Sequence, residues 1–512
     1  MKSVTSYLEE KKFHPFLIFL VIFIVFFQAF FNQFKADDSV VLYAAQVSNT
    51  NINYIFTLDL GGYFRPLNRL LFIPWYDMFS LDPLGYHIVN ILLFYFVDTL
   101  LVYILALEFT NKSIVALASS LIFATLATHF DTVMFLGAGL VEGSLFTFFL
   151  LTSFISFVKW NETDKRKYLL LSLIMFIFTL LSYEGSVVLL PIMFMYLVIF
   201  SNKIDIKSII GHIKKLLIFA APFIPYLAYE YIIQKSGWVV KGIGIYYFGL
   251  HFFINLFEYL ASMFIIIPMI DIRNLSRASL PYFISSAYWP LVILTSITVS
   301  LISIYLLLRG SKNSKFFIVW FGVAIFPFLF WANTPIQSSW SFAPSIGTSI
   351  LFGMFLYYVY QKLSNVVGSA NSKMIVSAFT IIFILVNSAA LVLIENYKFN
   401  NGVSDESVMM NFLKSKYPTF PDGSKLYFVN DSMPFHDGSL AIIMSVYYHQ
   451  GTIVSHNISI GNGYAITIYY PANYVIYEIT RDQVSGIPRD NSTHIFDYIK
   501  TDFRPGNGIE LS

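Results

Sequence analysis

Over almost the whole of the first 394 residues, long apolar runs alternate with short polar ones. The first run, His14 to Phe31, is long enough for one crossing of roughly 17 to 20 residues. It lacks the small-residue cleavage site of a signal peptide, so it reads as a retained anchor. Further runs predict spans near 86–108, 113–128, 143–158, 168–182, 185–200, 216–234, 284–308, 315–332, 344–361 and 373–394. Segment 249–270 is also apolar, but it carries His251, Asn255 and Glu258 and sits between polar loops. We read it as a re-entrant or surface-lying helix, with Glu258 as the reason it does not cross. The expected fold is an all-α polytopic membrane domain over residues 1–394, with about eleven transmembrane helices plus that helix and a first outer loop at 32–85.

After Glu395 the pattern changes. "GSKLYFVND", "GTIVSHNISI" and "GYAITIYY" are alternating or β-branched runs between Gly, Asn and Asp turns. They predict a small mixed α/β domain over 395–512, with no tetratricopeptide period and no catalytic motif. His436, Asp437, His449 and His456 are spaced too loosely to define a metal site.

Composition reinforces the membrane reading: 57% of the residues are hydrophobic, 19% aromatic and only 12% charged. A formal net charge of +2 on 512 residues leaves no basic field for nucleic acid. Cysteine is absent, which excludes disulfides and thiolate metal sites, so any catalysis uses carboxylates, histidines, hydroxyls or cations.

Charge also gives an orientation. "KWNETDKRKY" at 159–168, "SNKIDIKSIIGHIKK" at 201–215, "RGSKNSK" at 309–315 and "QKL" with Lys373 are basic loops, expected on the cytoplasmic side. Grouping them with Lys2, Lys11 and Lys12 puts the N-terminus inside a plasma (inner) membrane and the C-terminal domain outside. If 249–270 crossed fully, "RGSKNSK" would be exported and the tail imported.

This parity gathers four polar segments on the outer face: Asp37–Leu84, His129–Glu142, Ser182–Gly185 and Trp331–Ser345. They bring Asp37, Asp38, Asp131, Glu142 and Glu184 to one side. A carboxylate near lipid is costly and marks a functional site by default, although any single one of them can equally be a helix cap.

The order of motifs resembles the C-type (GT-C) membrane glycosyltransferases, especially the transmembrane O-mannosyltransferase branch. "FKADDSVVL", "TLDLGGYFRPLNRLL" and "LDPLGYHIVNILL" follow that family's acidic pair, Tyr-Arg-Pro-Leu element and Pro-x-x-His-x-x-Asn entrance to the second span. "THFDTVMFLGAGLVEG", "LLSYEGSVVLLP" and "SFAPSIGTSILFG" match three later elements in the same order, so the resemblance covers roughly Phe34 to Tyr360.

The resemblance implies transfer of a sugar from a polyprenyl-phosphate donor to an extracytoplasmic glycan, lipid-linked glycan or protein. No nucleic-acid partner and no cofactor beyond the lipid-linked sugar are expected, and a divalent ion is left open. Asp37 or Asp38 would accept the proton of the acceptor hydroxyl, and Arg65, with Arg69 behind it, would hold the donor phosphate. Asp59, Tyr63, His87, Asn90, His129, Asp131, Glu142, Tyr183 and Glu184 are the pocket candidates.

The chain also departs from the family pattern. Tyr183 stands where the branch has Lys, Ser338-Ser339 where it has Arg, and "GAGLVEG" lacks its Gly-Arg. The mannose specificity of the branch therefore does not carry over. Lys235, Lys241, Arg273 and Arg277 could replace the lost cations or face lipid headgroups.

His129 and Asp131 fall short of a metal site as a pair, and a metal-free orienting role is favoured. Trp75, Tyr76 and Trp331 are sugar-stacking candidates or interface anchors. Two other classes compete. A lipid-glycan polymerase or ligase would use the same donor, whereas a transporter or flippase should show related halves and paired midplane charges, and neither is visible.

Overall fold

A computed structural model describes residues 11–35, 38–57, 63–203, 205–234, 246–264, 282–331, 338–399, 404–421 and, within 423–496, the strands and short segments named below. The apolar runs form helices because only an internally hydrogen-bonded backbone is tolerated in lipid. Among the described residues seven helices are long and apolar enough to cross a membrane: Pro83–Thr110, Gly139–Thr163, Ile206–Ile232, Pro290–Arg309, Lys312–Phe330, Ser339–Val367 and Ser369–Asn396. An eighth is counted if Ser113–Thr125 and Ala127–Met134, bent by 55° at their junction, form one broken span. The chain is thus a mostly helical, multi-pass membrane protein with seven to eight candidate spans, and the expected eleven are not confirmed. The difference lies in length. His14–Val25 has 12 residues and Arg166–Ser182 has 17, while Glu184–Phe200 is likewise a shorter apolar helix.

Helix contacts use small residues and hydroxyls, as expected where no hydrophobic force acts between helices in lipid. Ser153 Oγ donates to the Ser172 carbonyl at 2.8 Å and Ser172 Oγ returns the bond at 2.9 Å. Helices Ile206–Gln234, Tyr282–Arg309 and Ser369–Phe399 keep large apolar side chains exposed, such as Leu217, Leu301 and Leu385, as lipid-facing surfaces do.

Segment 249–270 is described only to Phe264. There it forms the helix Leu250–Ser262, 13 residues long, with Asn255 and Glu258 buried. Asn255 Nδ2 donates to the carbonyls of Leu329 at 3.2 Å and Trp331 at 2.8 Å, which anchors this helix to the end of a span.

The first loop is itself helical where it is described, with helices Asp38–Thr50 and Pro66–Phe79 and a 3-10 turn at Ile52–Phe56. Their apolar faces share one core with the C-terminal segment, where Leu42, Tyr43, Phe72 and Tyr86 pack with Met410, Leu413, Phe428 and Met444. That segment begins with a helix, Asp405–Lys416, capped by Ser404. It then forms β1 (Ser424–Val429), β2 (Ile453–Ile460), β3 (Tyr464–Pro471), β4 (Tyr474–Ile479) and β5 (Thr493–Phe496). β1 lies between β4 and β5, parallel to both, whereas β2 and β3 form an antiparallel hairpin.

Candidate functional site

Three backbone irregularities create the site. The helical stretch Leu136–Leu145 is π-helical, as is Val89–Tyr95, and the pair around Leu126 is bent. Such breaks are common at functional positions because they free backbone groups and redirect side chains. Asn90 repairs one of them. Its Nδ2 donates to the carbonyls of Thr132 at 2.9 Å and Val133 at 3.3 Å, and its Oδ1 accepts from Ser144 Oγ at 2.6 Å. The glycines of "GAGLVEG" permit the close packing. A Cβ on Gly139 would lie 2.3 Å from the Asp131 carbonyl oxygen, and one on Gly143 would lie 2.4 Å from Thr132 Cγ2.

Asp38 opens the helix Asp38–Thr50 and is 1% exposed. Its Oδ1 accepts from the backbone amides of Leu136 at 2.7 Å and Gly137 at 2.8 Å, and its Oδ2 accepts from Lys35 N at 3.0 Å. Leu136 and Gly137 begin a helical segment, whose first amides lack intrahelical partners and attract an anion. Asp38 therefore pins the first loop to the start of the Leu136–Leu145 stretch.

The second cluster is centred on Arg65. Pro66 disfavours helical backbone at the residue before it, so Arg65 sits just outside the helix Pro66–Phe79, with φ −129° and ψ 61°. Its Nε donates to Glu184 Oε2 at 2.9 Å, and its Nη2 donates to Glu184 Oε1 at 2.6 Å and to Glu142 Oε1 at 3.0 Å. The guanidinium also lies between two aromatic faces, 4.4 Å from the Tyr63 ring centroid and 4.9 Å from that of Tyr183. Charge, a bidentate fork and ring stacking are all properties Arg supplies and Lys does not. Ser339 Oγ closes the ring of contacts by donating to Glu142 Oε2 at 3.3 Å.

Tyr183 is extended at the end of Arg166–Ser182, and Gly185 lies beneath its ring, where a Cβ would come within 2.5 Å of Cε1. Burial, reinforced by Glu142 and Glu184 and opposed by Arg65, pushes the Tyr183 phenol well above its ordinary range, so it stays a neutral hydrogen-bonding wall.

The structure thus joins Tyr63, Arg65, Glu142, Tyr183 and Glu184, which come from three of the polar segments, and adds Ser339 from the fourth. Sequence reasoning had noted Ser338 and Ser339 only as the place of a missing Arg. Ser338 Oγ accepts from Asp131 N at 3.2 Å, so both hydroxyls tie the late segment to the second one. Asp131 enters through that backbone contact.

Other candidates lie elsewhere. Arg69 Nη1 is turned to the loop before its own helix, donating to the Thr57 carbonyl at 2.8 Å and to the Tyr54 carbonyl, while its guanidinium stacks 4.8 Å from the Tyr54 ring. His87 Nε2 meets the Asn32 carbonyl at 3.0 Å. His129 uses both ring nitrogens in the bent span, Nδ1 with Tyr95 Oη at 3.0 Å and Nε2 with Ser345 Oγ at 2.8 Å. Among the described residues no group of three or more histidine or acidic side chains is placed to hold a metal ion. Trp75 packs against Phe72 and Phe94, Tyr76 Oη accepts from Gln46 Nε2 at 2.5 Å, and Trp331 packs on Trp340. Asp37, Asp59, Lys235, Lys241, Arg273, Arg277, His436, Asp437 and His449 lie outside the described residues.

No protein-family model matches the chain, and no curated protein does. Solved structures do. The archaeal oligosaccharyltransferase AglB from Archaeoglobus fulgidus, in complex with an inhibitory peptide and a dolichol-phosphate, is similar over 86% of this chain and 64% of its own, at 13% identity and a TM-score of 0.51. The Archaeoglobus fulgidus oligosaccharyltransferase in complex with Zn and sulfate is similar over 85% of this chain and 61% of its own, again at 13% identity and a TM-score of 0.51. ArnT from Cupriavidus metallidurans bound to undecaprenyl phosphate gives 10% identity, coverage of 88% and 85%, and a TM-score of 0.47. This chain spans less than two thirds of the length of the archaeal enzyme. At such identity the likeness is one of fold, and it does not reach the O-mannosyltransferase branch that the motifs resemble.

Proposed function

We propose that this chain is a GT-C-type glycosyltransferase that moves a sugar from a polyprenyl-phosphate carrier to an extracytoplasmic acceptor. The observation that carries the reading is the Arg65 cluster. A guanidinium fixed by Glu142 and Glu184 between two tyrosine faces joins three separate polar segments, on a fold shared with an enzyme captured with dolichol-phosphate.

In the reaction, an acceptor hydroxyl attacks the anomeric carbon, the bond from that carbon to the phosphate oxygen breaks, and polyprenyl phosphate departs with the electron pair. The hydroxyl proton goes to a carboxylate. The two adjacent aspartates divide the work. Asp38, committed to three backbone amides, anchors the loop, and Asp37 beside it is the general base. Arg65 stabilises the charge that grows on the leaving phosphate, and Tyr63 and Tyr183, stacked on the guanidinium, hold it in place.

Purified protein in liposomes, offered lipid-linked sugar or soluble nucleotide sugar separately, tests the reading. Transfer from the lipid donor alone is expected, and turnover with the nucleotide sugar alone overturns it. The likeness to an oligosaccharyltransferase favours a second reading, transfer of an assembled glycan. Comparing carriers that bear one sugar with carriers that bear several distinguishes the two.

A further inference from the structure

The C-terminal segment reaches the acidic corner through a carboxylate that no catalytic motif contains. Glu406, in the first turn of the helix Asp405–Lys416, is 3% exposed, and its Oε1 accepts from Ser39 Oγ at 2.5 Å. Ser39 follows Asp38 directly. A first-turn Glu is ordinarily explained by the positive end of its own helix, but this one is buried against another element, 367 residues away in sequence.

Two further bonds join the C-terminal segment to the first loop. Ser404 Oγ donates to the Phe34 carbonyl at 2.7 Å, and Gln46 Nε2 donates to the Val446 carbonyl at 3.1 Å. Tyr447 records the proximity electrostatically. Burial first, then the charges of Glu406 and of Asp38, push its phenol above the ordinary range, so both carboxylates act on one neutral ring.

We propose that Glu406 is a positioning residue for transfer: acting through Ser39, it fixes the start of the helix Asp38–Thr50 and sets a second negative charge near Asp38, the sequence neighbour of the proposed base, making the C-terminal segment part of the working site. The inference rests on the assignment of Asp37 and Asp38 given above. A fixed anion makes a neighbouring carboxylate a stronger base, because proton uptake relieves repulsion. Among the described residues, Tyr447 and Lys414 (5.6 Å from the Tyr447 ring centroid) also lie at this corner; Lys35 contributes the amide that bonds Asp38, while its ammonium lies over the Phe399 ring.

Full-length protein in liposomes, assayed with a polyprenyl-phosphate-linked sugar across pH, gives the test. Glu406→Gln keeps the shape of the side chain and removes its charge. It should lower kcat about 10-fold and move the acid limb of kcat/KM down by about half a unit to one unit, the scale of one like charge nearby. Ser39→Ala should lower kcat by a similar factor with the donor KM unchanged. A merely structural Glu406 would change the amount of assembled protein and leave the acid limb in place. If Glu406→Gln fails to assemble, the kcat of Ser39→Ala decides. Wild-type kcat and an unmoved acid limb in the variants that assemble overturn the inference. Full activity in both Asp37→Asn and Asp38→Asn overturns the base assignment instead, whatever Glu406 does.

Discussion

Removing Arg65 places Glu142 and Glu184 face to face. Both carboxylates lie within hydrogen-bond distance of the same Nη2, at 3.0 and 2.6 Å, and the three side chains are 10%, 14% and 33% exposed. Two like charges about 5 Å apart repel by about 3 kcal/mol at an effective dielectric constant near 20. Glu184 is a third exposed, so solvent screening trims the expected destabilisation by Arg65→Ala to about 2–3 kcal/mol. The loss should come from the uncompensated acids rather than from the missing side chain. A triple variant, Arg65→Met with Glu142→Gln and Glu184→Gln, should therefore regain at least half of it. Denaturant unfolding in micelles measures stability, and donor titration in liposomes measures function. Arg65→Ala should lose donor use, and the triple variant should stay inactive although it is stable. Arg65→Ala within about 0.5 kcal/mol of wild type would refute the reasoning, because the cluster would then behave as an ordinary surface ion pair.

Other perturbations probe the remaining assignments. Asp37→Asn should fold normally and lose about two to four orders of magnitude in kcat, the range for a general base; near-normal turnover in liposomes by both Asp37→Asn and Asp38→Asn would move the base to Asp131 or Glu184. Gly139→Ala, whose Cβ would lie 2.3 Å from a backbone oxygen, should destabilise by about 2 kcal/mol or more in the same unfolding assay, whereas Gly211→Ala, inside a helix with nothing within 4 Å, should stabilise by up to about 1 kcal/mol. Single cysteines replacing Asn313 and, separately, Ser439 should label with an impermeant reagent in intact cells at position 439 only. Labelling at 313 alone would invert the topology and make 249–270 a full span.

How much of this was legible in the sequence follows from range. Apolar runs are local, so the helices could be read directly, whereas their number as crossings is not confirmed, because several of the apolar helices among the described residues are shorter than a full span. Glu142 and Glu184 could be nominated because a carboxylate near lipid is conspicuous and the expected parity put the acids on one side, whereas Arg65 and Tyr183 were nominated by the motifs that resemble the GT-C family. What each nominee bonds was not legible. Arg65 and Arg69 occupy one motif four residues apart, yet one is held by carboxylates from distant segments and the other holds the carbonyls of its own loop. His129 and Asn90 carried the chemistry of ligands, but their partners are hydroxyls and the carbonyls freed by irregular helices, and no sequence period announces those. The one local signal left unused was the Gly139–Gly143 spacing, one helical turn of small residues facing another backbone.

Glu406 shows the same limit from the other side. In the sequence it is an ordinary acid two residues after the capping Ser404, within a helix start that needs no further explanation. Its proposed second role depends on the core that the first loop and the C-terminal segment share. That shared core has a mechanical consequence. The helix Asp38–Thr50 is tied at its start to Leu136 and Gly137 through Asp38, and to the C-terminal helix through Ser39. A shift of the C-terminal segment should therefore be felt at Asp38, since Asp38 and Ser39 are consecutive residues in one helical turn. The acidic corner and the C-terminal segment should accordingly respond together to any acceptor that engages either one.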